Sequence, residues 1–256
     1  MKFTYEDLLC GEPIFVEGIG HFRSPKIKEL NPTTGIGYRQ YYTYINILSW
    51  DKSDLLEIIK KESEVQYTLL NKKENFNTFD IITLFPYLLG IVKSAFEFFI
   101  YEVIEWDNAD RKFITLSKDD PNKVVGEINR LNYDEVRDMV LQMNYINLGK
   151  DESSMNFATA KAKESWEKVQ KYLKQEGKKS KGDKRFRLSN IISKLSVLPT
   201  GYTLFNIYDL TVFQLYDQFL QYGYLRAMDL NERACSYGLG SKDFKFDNWL
   251  NPIIKS

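Results

Sequence analysis

"VGEINRLNYDEVRDMVLQMNYINLG", Val125 to Gly149, carries an extended segment straight into a helix. Asn132 stands where an N-cap would, and Glu135 follows three residues later, as in a capping box. Val136, Met139, Val140 and Met143 then recur at helical spacing. A strand feeding a capped amphipathic helix points to an α+β arrangement, with the first region ending near Gly149.

Upstream, "FFIYEVIEWDNADRKFITLSKDDPNKVVGEI" places two runs of β-branched and aromatic residues on either side of the polar turn Asp107 to Asp110. This reads as a β-hairpin, with Val124 to Ile128 as a third strand. A lone ribbon is marginal in water, so it must pack on helices, on another hairpin or on another chain. Near the start, "VEGIGHFRSP" reads as two short strands around a turn in which Gly18 and Gly20 supply positive φ. Ser24 and Pro25 then predict a helix start, as N-cap and N1. After the loop NPTTG, residues Tyr38, Tyr41, Tyr42, Ile45 and Leu48 form an amphipathic helical stripe. Asp51 or Ser53 opens the next helix. The most apolar run, Ile81 to Ile100, is broken by Pro86, Gly90, Lys93 and Glu97, which predicts a buried, proline-interrupted helix rather than a membrane span.

Composition narrows the function classes. The chain has 256 residues, 43% of them hydrophobic, and a formal net charge of zero, so no global field draws it to nucleic acid or to a membrane. The single histidine, His21, excludes a multi-histidine zinc site and leaves any histidine-based catalytic device to that one residue. No P-loop is present. Cys10 and Cys235 lie far apart, which fits a reducing compartment, and the start MKFTYEDLLCGEP lacks the pattern of a signal peptide. The expectation is a cytoplasmic protein that is not an enzyme and binds neither cofactor nor metal. The 17 Tyr and 17 Phe suit packing and partner contact alike.

Downstream of Gly149, residues 161–187 hold eleven Lys/Arg against four Asp/Glu. They read as a helix with Trp166, Val169 and Leu173 on one side, followed by a Gly/Lys/Ser linker from Gly177 to Asp183. Pro199 and Gly201 break the next helical stretch, and Thr211 to Gln214 is a second capping box, opening a long helix with Leu215, Phe219 and Tyr222 on one face. The tail "FKFDNWLNPIIKS" stays apolar to its end. The expected organisation is an N-terminal α+β domain (1–149), a basic helix and flexible linker (150–187) and a small C-terminal helical module (188–256). Most of the chain is expected to be helical, with one or two β-hairpins.

Four stretches in succession, "GEPIFVEGIGHFRSPKIKEL", "VVGEINRLNYDEVRDMVLQMNYI", "KAKESWEKVQKYLK" and "LTVFQLYDQFLQY" with the closing "NWLNPI", resemble the tail assembly chaperones of long-tailed phages that infect Gram-positive bacteria. The inserted loop NPTTG departs from the pattern. The resemblance implies a non-enzymatic protein of the host cytoplasm that holds the tape measure protein soluble and recruits tail tube protein, with self-association as a further option. A structural tail or neck protein is the alternative. In relatives the C-terminal part is often added by ribosomal frameshifting, so this chain would correspond to a long or naturally continuous form. Phe213, Tyr216, Phe219, Tyr222 and Tyr224 on the long helix exceed what one buried stripe needs. Together with Trp249 in the tail and Tyr38, Tyr41 and Tyr42, they are the candidate partner-binding residues.

Overall fold

A computed structural model describes residues 3–72, 75–146, 164, 167–168, 171, 187–199 and 201–237. Over these the chain is a mostly helical α+β protein. Thr4 and Asp7 form a reciprocal capping box on α1 (Tyr5–Cys10). The expected first hairpin follows as β1 (Ile14–Val16) and β2 (Gly20–Phe22), antiparallel, with Phe15 opposite His21. Its turn has Gly18 at φ +75° and Gly20 at φ +133°.

No α-helix starts at Ser24–Pro25; a single 3-10 turn, Ile27–Leu30, takes its place. The cause is long-range. Lys26 bridges Thr211 in antiparallel fashion, Ile27 donates its N–H to Leu210 and the Pro25 carbonyl accepts from Val212, so this backbone is committed to a ladder. The Ser24 hydroxyl accepts from the Phe213 N–H, which lies at a different helix's start.

Next come α2 (Tyr38–Ser49), α3 (Lys52–Glu62), capped by Asp51, and α4 (Glu64–Asn71). The expected proline-interrupted helix is two helices, α5 (Thr78–Leu84) and α6 (Pro86–Phe99), bent by 115° at the break, with Pro86 as the first residue of α6. Proline lacks the N–H that would continue α5, yet its fixed φ suits a first turn. Among the described residues no single helix is long and apolar enough to cross a membrane.

The second hairpin and third strand form as β3 (Val103–Asp107), β4 (Lys112–Leu116) and β5 (Val124–Ile128), in the order β3-β4-β5, all antiparallel, with an irregularity at Thr115/Leu116. The first hairpin docks on this sheet. Glu127 donates its N–H to Gly18, the Thr115 hydroxyl donates to the Ile19 carbonyl at 2.6 Å, and Tyr101 donates to the His21 carbonyl. That pairing removes the marginality of an isolated ribbon.

The opening stretch continues into α7 (Tyr133–Met143), but not through a capping box. The Asn132 side chain makes no cap bond to the helix. Its Oδ1 accepts from the Asn129 N–H and its Nδ2 donates to the Glu127 carbonyl, so it braces the turn between β5 and α7. An aromatic cluster locks sheet to helices here: Phe113 of β4 lies 5.6 Å from Phe96 of α6, and Tyr133 lies 5.3 Å from Phe79 of α5.

Past residue 187 stand α8 (Leu188–Leu195), a 3-10 turn at Ile207–Asp209 and α9 (Val212–Ser236). The expected capping box is present on α9, with Thr211 and Gln214 bonding each other's backbone N–H. Leu188, Ile191, Leu195, Val212, Leu215 and Tyr216 belong to the same buried cluster as Phe22, Tyr41, Phe96 and Val140, so described residues on both sides of the basic segment share one core. The helix expected around Trp166, Val169 and Leu173, the Gly177–Asp183 linker and the apolar tail with Trp249 lie outside the described residues.

Candidate functional site

The tyrosine and phenylalanine residues singled out in the sequence divide by burial. Phe213, Tyr216 and Tyr224 on α9 are buried, as is Tyr41 on α2. Phe219 and Tyr222 are half-buried against the core, as are Tyr38 and Tyr42. Of the aromatics of α9 in excess of one buried stripe, some of which are expected to stay exposed, Phe213, Tyr216 and Tyr224 are buried and Phe219 and Tyr222 are half-buried. Phe213, Tyr216, Leu220 and Tyr224 follow one another at helical spacing, and Val212 and Leu215 are buried beside them, so α9 is covered on more than one face. The best buried stripe is this one rather than Leu215, Phe219 and Tyr222.

Besides α8, the turn that ends α7 and the first helix cover the aromatic stripe of α9. Beyond Met143 the chain turns through Tyr145 at φ +64°, a left-handed conformation unusual for a bulky residue. The Ile146 N–H bonds back to the Leu141 carbonyl and the Tyr145 N–H to Gln142, closing the helix as a glycine-ended helix would. The turn delivers the Tyr145 ring against Phe213 (5.0 Å between centroids) and stacks it on Tyr216 (6.2 Å). Beside it, Asn144 is fully buried and accepts from the Tyr41 hydroxyl at 3.1 Å, which ties α2 to the same place.

At the centre lies Asp217, a carboxylate only 1% exposed. The Tyr5 hydroxyl of α1 donates to its Oδ1 at 3.0 Å. Burial pushes the Asp217 carboxyl up to about 6, while hydrogen bonds from Tyr5, Gln221 and Tyr145 pull the other way. Burial, followed by the nearby carboxylate, pushes the Tyr5 phenol up to about 12, and Tyr145 rises well above its ordinary value, with burial the largest cause. Two glutamines complete the arrangement. Gln142 of α7 accepts from the Phe3 N–H at 3.1 Å and donates to the Phe3 carbonyl at 2.9 Å, and Gln214 of α9 donates to the Leu9 carbonyl at 2.8 Å.

Sequence reasoning missed Asp217, although a signal was there. With Phe213, Tyr216, Leu220 and Tyr224 it occupies positions i, i+3, i+4, i+7 and i+11, so a carboxylate stands on an otherwise apolar stripe. Tyr145 gave no such signal, because nothing local marks a tyrosine for the left-handed region.

His21, the other residue of chemical interest, is clamped by Glu102. The carboxylate, with 4% of its side chain exposed, accepts from the His21 backbone N–H at 2.8 Å and pairs with Nδ1 at 2.7 Å. The clamp joins β2 to the entry of β3. Among the described residues no group of three or more His, Cys, Asp or Glu side chains could hold a metal ion. Among the described residues the most exposed large apolar side chain is Phe205, next to Leu204 in a turn fixed by Thr203 and Asn206.

Residues 177–254 match the family model described as the YomV second domain. That family is a phage-associated one, and the match takes in α8, α9 and the turn between them. No curated protein and no solved structure matches the chain.

Proposed function

We propose that the chain is a tail assembly chaperone of a phage: a non-enzymatic protein of the host cytoplasm that keeps a tape measure protein soluble and recruits tail tube subunits to it. The observation that carries this reading is the phage-associated family match over 177–254. The succession of stretches along the chain that resembles tail assembly chaperones supports it. Capped helices, a large aromatic inventory and surfaces read by side-chain amides suit a protein that holds another chain.

Co-expression with the tape measure protein of the same phage tests the reading. The expected result is a soluble tape measure protein that co-purifies with this chain and is insoluble without it. A tape measure protein equally soluble alone, with this chain found as a stoichiometric part of purified particles, would replace the chaperone with a structural tail or neck protein.

A further inference from the structure

We infer that the surface beneath α1 is a binding groove for an amphipathic helix, occupied in this structure by the chain's own first helix, and that a partner helix takes the same place. The clause about a partner rests on the chaperone reading; the groove itself does not.

Four of the six residues of α1 (Glu6, Asp7, Leu9 and Cys10) are exposed, and Leu8 alone is buried, with Tyr5 half-buried. A helix of this length has no stability of its own in water. It stays because Leu8 and the preceding Phe3 are buried, Tyr5 packs on Phe213, and three polar side chains from two other helices hold the segment. Gln142 reads both the N–H and the carbonyl of Phe3, Gln214 takes the carbonyl of Leu9, and Asp217 takes the Tyr5 hydroxyl. Two of these three contacts are made to backbone, so they would accept another sequence as readily. Beneath Tyr5 lies the aromatic floor of Phe213, Tyr145 and Tyr216, with Phe213 6.2 Å from Tyr5. Phe213, one of the aromatics expected from the sequence to meet a client, is thus covered by Tyr5 of this small helix. The fitting partner is a helix with one aliphatic residue at the Leu8 position and, one turn earlier, a hydroxyl or amide donor for Asp217.

A tethered occupant sits at an effective concentration on the order of millimolar, so an external helix must bind through more contacts than α1 makes or meet a loosened lid. Hydrogen exchange on the full chain comes first. The amides of residues 8–10 should exchange at least about a hundredfold faster than those of Val136–Met143 and Leu215–Leu220, as expected of local opening. Equal protection in all three would make α1 a permanent part of the core and overturn the inference.

The second arm uses a fluorescent peptide of residues 1–12 and the full-length Leu8→Ala chain, whose lid is weakened and whose groove is intact. The peptide should bind this variant saturably, and bind the unmodified chain about tenfold or more weakly; the same peptide carrying Leu8→Ala should not bind. Absence of binding to the variant, or loss of its folded state, would count against a displaceable lid. Either result leaves the co-expression test untouched, so the groove and the client can fail separately.

Discussion

Asp217 is a charge placed where charge is unwelcome, and its pH dependence follows. Its carboxyl titrates at about 6 in the folded chain against an ordinary 3.8, because burial disfavours the ionised form. The folded chain therefore holds this proton more tightly than the unfolded chain, so the group's contribution to stability is full below about pH 4 and is lost as pH rises to about 6. Asp217→Asn should flatten the fall in melting temperature across that window relative to the unmodified chain, a difference on the order of 2 kcal/mol; an unchanged slope would place the titration elsewhere. Gly20 offers a steric counterpart. At φ +133° an added methyl group would overlap the Glu102 carboxylate that clamps His21, whereas Gly18, two residues earlier in the same turn, faces open space. Gly20→Ala is expected to cost several kcal/mol in denaturant unfolding and Gly18→Ala only about 1 kcal/mol. Both glycines were legible as turn residues. Which one is sterically essential was not, since the carboxylate that decides it is that of Glu102, 81 residues beyond the His21 it clamps.

Two local caps were legible: Thr211 caps α9 through the expected box, and Asp51, one of the two residues offered for that start, caps α3. Thr211→Ala should therefore destabilise the chain by about 1–2 kcal/mol, measured by urea unfolding; a neutral result would mean the box adds nothing to a helix already held by packing. Asn132 and Ser24 carry the same local signature and do something else. Asn132 finds two backbone partners in the preceding turn, and Ser24 sits in a strand-like segment whose partner is the start of α9. For Ser24 the competing contact comes from 189 residues away, outside any local window; for Asn132 it comes from the adjoining turn, where two backbone groups take the amide that would otherwise cap the helix. The β-hairpins were the most legible elements, because alternation and turn residues are local. Their docking on one another was legible only as a requirement that something must cover them.

At the scale of the molecule, the sequence suggests separate modules where the described residues show a shared core. Cleavage is expected first between Gly177 and Asp183, a run of small and charged residues, GKKSKGD. The nicked halves should nevertheless co-elute in gel filtration, because Val212, Leu215 and Tyr216 pack in one cluster with Phe22, Tyr41 and Val140, and residues 25–27 form a ladder with 210–212. Separation of the fragments without denaturant would refute that. For the same reason a chain ending at Lys194 is expected in the insoluble fraction, since it lacks the helix that completes the core. The contact between Tyr5 and Asp217 spans 212 residues. At a synthesis rate of roughly 5–20 residues per second, Tyr5 waits about 10–40 s for Asp217 to be made. Throughout that interval the first helix lacks part of its seat, and α9, the last helix among the described residues, decides whether the seat is completed before the segment meets another chain.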